Sequence, residues 1–171
     1  YAREERSLQS RWTPQAVAAN QPALSWRAGI DVLRTTTEDC VRSRTAGLEK
    51  IALRLSGGFD SSVVLGLLRG CSQAEIVCVN EYWEGAPEGD ERDQARRVAE
   101  ANGVLLHQLR FDPAAVSYHR ALLAPLTVRP TLSILGYADP NVAEFYKDLG
   151  CDLITSGQGG DHLFHRSRTP W

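Results

Sequence analysis

Apolar residues along the chain fall into short runs that alternate with longer stretches of helical spacing. Four runs have the length of a strand and predict β-strands over residues 51–55, 75–80, 104–109 and 151–155. Apolar residues three and four positions apart predict helices over residues 26–46, 61–70, 90–102 and 141–149. Strands that alternate with helices pair in parallel through right-handed crossovers. The pattern therefore predicts an α/β fold with a doubly wound, mostly parallel sheet that has helices on both faces.

Two segments depart from this alternation. Residues 1–25 are polar and are interrupted by Pro14 and Pro22, which favours an irregular linker or docking arm ahead of a core over residues 26–171. The connection between Leu109 and Asn141 is long and contains four prolines. In a doubly wound sheet the chain adds strands outward and then crosses back beside the first strand. We expect this long connection to make that return.

Two glycine turns follow predicted strands. The first, Ser-Gly-Gly-Phe-Asp-Ser-Ser at 56–62, stands between a strand and a helix, where unpaired backbone N–H groups can face an anion. Gly57 and Gly58 let the backbone approach phosphate oxygens, and Asp60 can hold a divalent cation against them. The second turn, Ser-Gly-Gln-Gly-Gly-Asp at 156–161, follows the fourth strand. If the chain returns beside its first strand, the two turns are neighbours across one crevice.

The first turn resembles the pyrophosphate-binding loop of the ATP pyrophosphatases, which cleave ATP between the α and β phosphates. It is not a Walker loop, because it has no lysine. The second turn is similar to the Ser-Gly-Glu-Gly-x-Asp-Glu-Leu-Phe motif of the asparagine synthetases, at Ser156, Gly157, Gly159, Asp161, Leu163 and Phe164. The chain thus resembles the synthetase domain of the asparagine synthetase-like family, whose relatives include lasso-peptide cyclases and β-lactam synthetase.

This resemblance implies an adenine nucleotide alpha hydrolase-like fold, with ATP and Mg²⁺ as cofactors. Asp60 and Asp161 would hold the metal. Ser56, Gly57, Gly58, Ser61 and Ser62 would cradle the pyrophosphate, backbone groups near Leu55 and Val79 would contact adenine, and Ser156 and Gly157 would face the ribose and α-phosphate. The implied reaction is adenylation of a carboxylate with release of pyrophosphate, followed by transfer of the acyl group to ammonia or an amine.

Two positions differ from the family pattern. Gln158 stands where asparagine synthetases carry a glutamate assigned to acid–base work, and an amide cannot take up a proton at neutral pH. Gln158 could instead position a substrate carboxylate. His162 replaces a second glutamate, and with His165 it makes only two candidate zinc ligands. Gln158 favours a specialised amide-forming relative, such as a peptide cyclase, over free asparagine synthesis. The sequence is also compatible with a tRNA-modifying ATP pyrophosphatase and with a non-catalytic nucleotide-binding domain.

Composition limits the partners. A net charge of −2 gives no basic surface for nucleic acid, so we expect a small-molecule or peptide carboxylate as substrate. Four cysteines without a C-x-x-C pair, and no apolar stretch near ~20 residues, predict a cytoplasmic protein with reduced thiols and no membrane segment. Because the chain lacks methionine and begins at Tyr1, we expect a piece of a longer protein. A glutaminase domain or a precursor peptide would be its partner.

Overall fold

The computed structural model describes residues 13–20, 24–112, 114 and 140–160. These residues divide into two compact units, one that ends at Thr37 and one that begins at Glu38. Their helices are α1 Pro14–Asn20, α2 Trp26–Thr45, α3 Phe59–Cys71, α4 Arg92–Asn102 and α5 Pro140–Leu149, with a 3-10 turn at Pro87–Gly89. Their strands are β1 Lys50–Arg54, β2 Glu75–Tyr82, β3 Leu105–Arg110 and β4 Leu153–Ser156.

The first unit contains α1 and most of α2. The sequence favoured an irregular segment before residue 26, and this is wrong for Pro14–Asn20, which is helical. The Thr13 hydroxyl accepts a hydrogen bond from the N–H of Ala16 at 3.1 Å, and Pro14 occupies the first helical position. A threonine cap followed by proline is a helix-start signal, because proline has no N–H to leave unpaired there.

The second unit is built on a four-stranded parallel sheet in the order β3-β2-β1-β4. Leu53 of β1 lies opposite Cys78 of β2 on one side and Thr155 of β4 on the other. The chain therefore adds β2 and β3 outward from β1 and returns to place β4 on the opposite side of β1. This is the predicted reversal of strand order, and it lies between β1 and β4.

Helices cover both faces of this sheet, as predicted. One face forms the main core, where α3 and α4 pack on the strands through Ile51, Leu53, Leu55, Leu65, Leu68, Cys78, Ala95 and Ala99. Side chains alternate along a strand, so Val79 and Glu81 point to the opposite face. There α5 packs on the sheet: the Phe145 ring contacts that of His107 at 5.5 Å, and Tyr146 reaches Glu81.

The four cysteines are free thiols in the structure. Cys78 is buried in β2, but Cys151 is only partly buried and precedes β4, so its predicted place in the fourth strand is wrong. The strand begins at Leu153, and just before it the Asp152 carboxylate accepts hydrogen bonds from the N–H groups of Glu49 and Lys50. Among the helices described, none is long and apolar enough to cross a membrane.

Candidate active site

The first glycine turn joins β1 to α3 and is held by its own serines. Gly57 has a φ of +84°, a conformation that residues with a side chain rarely adopt. The N–H of Gly58 donates to the Ser56 hydroxyl at 3.1 Å, and this hydroxyl lies 3.1 Å from that of Ser61. The turn is thus a compact, preformed loop at the carboxyl end of β1.

The loop leads directly into the start of α3. Gly58 is the N-cap residue, and no side chain caps the helix. The first N–H groups of a helix have no partner within it, and together with the helix dipole they favour an anion. Asp60 and Ser61 lie in this first turn and line a cleft. The Ser62 hydroxyl donates to the Gly58 carbonyl at 2.8 Å, and Ser62 is not among the described residues that line the cleft.

The second glycine turn follows β4 and packs directly on the start of α3. A Cβ atom on Gly157 would overlap the backbone of Asp60 and Ser61. One on Gly160 would overlap the Asp60 carboxylate. At Gly157 the atoms in the way belong to the backbone, so glycine is the residue that permits this approach. The two turns are neighbours, as the sequence predicted.

A cleft of about 620 Å³ opens between the two turns at the carboxyl ends of the strands. Nine of the predicted site residues line it: Leu55, Ser56, Gly58, Asp60, Ser61, Val79, Ser156, Gly157 and Gln158. Gly57 and Ser62 were also predicted, but neither is among the lining residues in the described part of the chain. Asp161 lies outside the described residues, as do His162 and His165, so their roles stay predictions.

Several lining residues were missed by the sequence analysis, among them Arg54, Phe59, Asn80, Glu81 and Glu91. An Arg54 Nη2 donates to Glu81 at 2.6 Å, and the Tyr146 hydroxyl donates to the other oxygen of Glu81 at 2.9 Å. Burial, and then the Glu81 charge, hold the pKa of Tyr146 well above its usual range, so this hydroxyl remains a donor. The available signal was polarity at the carboxyl end of β2, where a parallel sheet binds its ligands.

Asn80 closes the floor of the cleft where β1 ends. It is 3% exposed, and its Nδ2 donates to the carbonyl of Leu55 at 2.9 Å. The N–H of Leu55 in turn donates to the carbonyl of Val79 at 2.9 Å. Protein groups therefore hold the backbone at Leu55, where the resemblance placed an adenine contact. The Asn80 Oδ1 is buried without a hydrogen-bond partner in the described structure.

Of the two predicted metal ligands, Asp60 and Asp161, Asp60 is the one that lies within the described residues. Asp60 is half-buried beside the serine hydroxyls and the helix N-terminus, and oxygen ligands of this kind suit Mg²⁺. Within residues 13–20, 24–112, 114 and 140–160, no three His, Cys, Asp or Glu side chains form a metal-binding group. Asp60 and the glycine turns fit a cation that is bound largely through a phosphate ligand, which is how Mg²⁺ commonly binds with nucleotides.

The arrangement of strands, turns and cleft is that of an α/β nucleotide-binding domain, and solved structures share the fold. The chain is similar to U34-tRNA thiolase NcsA from Methanococcus maripaludis, with 22% identity and a TM-score of 0.54 over 77% of this chain and 47% of that chain. It is also similar to NH3-dependent NAD synthetase from Campylobacter jejuni, with 15% identity and a TM-score of 0.53 over 82% of this chain and 60% of that one.

A third solved structure is glutamine-dependent NAD+ synthetase from Acinetobacter baumannii, with 19% identity and a TM-score of 0.50 over 84% of this chain and 28% of that chain. These likenesses show the fold, which is adenine nucleotide alpha hydrolase-like, as predicted. The chain spans less than two thirds of the length of each of the three.

The asparagine synthase family model matches residues 32–168, more than half of the chain. The chain belongs to the asparagine synthase family, a family of ATP-utilising enzymes. Comparison with the curated proteins gives no match.

Proposed function

We propose that this chain is the ATP-binding core of an amide ligase that adenylates a carboxylate and releases pyrophosphate. The proposal rests on one observation: two glycine turns that are far apart in the sequence meet at the reversal of strand order and line one cleft. Ligands bind at such a reversal in open α/β sheets. Membership of the asparagine synthase family supports ATP as the ligand.

The residues of the first turn receive the pyrophosphate end of ATP. Their contribution is electrostatic: the open N-terminus of α3 and the Ser56 hydroxyl provide fixed dipoles for the charge that develops on pyrophosphate as it leaves. Asp60 would hold Mg²⁺, which when bound neutralises charge on the phosphate oxygens. Ser156 and Gly157 lie on the other wall of the cleft and would face the ribose and α-phosphate.

The reaction proceeds in two displacements. A carboxylate oxygen attacks the α-phosphorus, the bond to the bridging oxygen of pyrophosphate breaks, and an acyl-adenylate forms. An amine nitrogen then attacks the acyl carbon, AMP leaves, and the nitrogen loses a proton as the amide forms. Catalysis in the first displacement requires the chain to align the carboxylate with the α-phosphorus.

Gln158 favours a specialised amine acceptor within this scheme. Its side chain is exposed in the cleft, and its N–H donates to the Ser156 hydroxyl at 3.3 Å. An amide is not a base, so Gln158 does not take the proton that the amine loses. It can instead donate a hydrogen bond to a carboxylate. A peptide-cyclising or related ligase is therefore the second candidate, with a peptide carboxylate as substrate.

Calorimetric titration with ATP tests the proposal, with and without Mg²⁺. We expect ATP to bind more tightly with Mg²⁺, and Asp60→Asn to weaken the Mg²⁺-dependent binding by about tenfold or more, or ~1.4 kcal/mol. Asp148→Asn is the matched control, because Asp148 is exposed on α5 outside the cleft. Pyrophosphate release on a panel of carboxylates and amines then identifies the reaction. No binding of ATP by the unmodified chain, or undiminished binding by Asp60→Asn, would contradict the proposal.

A further inference from the structure

The first glycine turn is in contact with α4 as well as with its own serines. A Cβ atom on Gly57 would lie 2.5 Å from the amide nitrogen of Ala95 and 2.6 Å from the carbonyl carbon of Gln94. Ala95 is fully buried. The backbone of the turn therefore rests directly on the first turns of α4, where a side chain of that helix can control its orientation.

The peptide between Gly57 and Gly58 is held at both ends. Its carbonyl accepts a hydrogen bond from the Gln94 Nε2 at 2.9 Å, and its N–H donates to the Ser56 hydroxyl at 3.1 Å. A peptide flanked by two glycines lacks a Cβ on either side, so steric contacts alone do not fix which way its carbonyl points. The two hydrogen bonds fix the direction of the carbonyl.

The orientation of this peptide matters for an anion. A carbonyl oxygen that turned toward the cleft would repel phosphate oxygens, whereas an N–H in the same place would attract them. The bond from Gln94 keeps the Gly57 carbonyl directed to α4, and Gly57 is not among the described residues that line the cleft. Gly58 does line the cleft.

We propose that Gln94 is a positioning residue for pyrophosphate binding: it fixes the Gly57–Gly58 peptide so that the Gly57 carbonyl stays directed to α4 and away from the phosphates. This inference rests on the proposed function, since it assumes that the first turn receives the pyrophosphate end of ATP. Gln94 touches no phosphate in this scheme. It acts through the backbone of the turn.

The test compares ligands that do and do not occupy the turn. Gln94→Met keeps the length of the side chain but removes the donor, and Gln94→Glu places an acceptor against the Gly57 carbonyl. Binding of Mg²⁺-pyrophosphate, Mg²⁺-ATP and AMP is measured by calorimetry, together with the unfolding midpoint of the ligand-free proteins. The matched control is Gln108→Met, because Gln108 is exposed on β3.

We expect Gln94→Met to weaken pyrophosphate and ATP by about tenfold, as for loss of one hydrogen bond, and Gln94→Glu to weaken them more. AMP, which lacks the β and γ phosphates, should bind each variant within about twofold of the unmodified chain. A merely structural role would lower affinity for all three ligands alike and would overturn the inference. Unchanged pyrophosphate binding would also overturn it. If the unmodified chain binds none of the ligands, the proposed function is wrong, and so is this inference, which rests on it.

Discussion

At the scale of single residues, Asn80 shows how a polar side chain can serve a buried position beside the cleft. A buried amide costs free energy unless it is hydrogen-bonded. Its Nδ2 donates to the carbonyl of Leu55, the residue that follows β1. Its Oδ1 has no partner among the described residues. Asn80 thus fixes the backbone at the carboxyl end of β1, whereas its buried Oδ1 lowers the stability of the fold.

Replacement of Asn80 by aspartate should remove its hydrogen bond and destabilise the folded chain. The carboxylate cannot donate to the Leu55 carbonyl and would face it as a second acceptor, so we expect a loss of about 1–3 kcal/mol in the free energy of unfolding at pH 7. Burial raises the pKa of a carboxyl. The loss should therefore shrink as the pH falls from the raised folded pKa toward the unfolded pKa of about 3.9, and below that value the group is protonated in both states. Urea unfolding across this pH range is the measurement.

The control for this variant is Asn20→Asp. The Asn20 Nδ2 also donates to a backbone carbonyl, that of Ala16 at 2.9 Å, but Asn20 is exposed on α1. Water can replace its hydrogen bond, so we expect a change within about 0.5 kcal/mol. Equal effects of the two substitutions would mean that burial of Asn80 is not what makes its hydrogen bond necessary.

At the scale of the elements, the sequence predicted the strands and helices of the sheet unit to within about two residues, and the differences have local causes. The helix predicted from residue 90 begins at Arg92, because the Asp90 carboxylate pairs with the Arg92 N–H and guanidinium. β2 continues past the predicted end at Asn80 to Tyr82. The charge of Glu81 is tolerated there because Arg54 and Tyr146 donate to it. Both causes depend on side-chain partners that hydrophobic periodicity does not report.

The central position of β2 can be tested through Cys78. Burial raises the pKa of this thiol to about 11, so almost none of it is thiolate at pH 8. We expect iodoacetamide at pH 8 to modify the exposed Cys40 first and Cys78 only after unfolding, with Cys71 and Cys151 between them. Peptide mass spectrometry over time gives the order. Labelling of Cys78 as fast as Cys40 in the folded protein would contradict the placement of β2 in the core.

At the scale of the whole sheet unit, the meeting of the two turns followed from topology, but the contacts within the cleft did not. Parallel strands and one reversal are enough to bring the ends of β1 and β4 together. The approach of Gly157 to α3 and the bond from Gln94 to Gly57 depend on distances between segments far apart in the chain. No spacing in the sequence encodes these distances. The sequence therefore predicted most of the residues that line the cleft, but not the contacts that hold its two turns in place.

Substitution of Gly157 tests whether this close approach joins the two halves of the cleft. In Gly157→Ala the new methyl group would meet the backbone of Asp60 and Ser61, which cannot move aside as a flexible side chain would. We expect a loss of about 1–3 kcal/mol in the free energy of unfolding, typical of an overpacked contact, and weaker binding of Mg²⁺-ATP. Urea unfolding and calorimetry measure the two effects.

Gly66→Ala is the matched control, because it makes the same substitution within α3 where nothing lies within 4 Å of the added Cβ. Alanine is the better helix former, so this variant should gain about 0.5–1 kcal/mol and bind Mg²⁺-ATP unchanged. If Gly157→Ala lowers the free energy of unfolding while Gly66→Ala raises it, contact with α3, and not loss of glycine itself, decides the outcome at Gly157. A Gly157→Ala protein as stable as the unmodified chain would show that the second turn does not rest on α3, and the cleft would then lack the wall that carries Ser156 and Gln158.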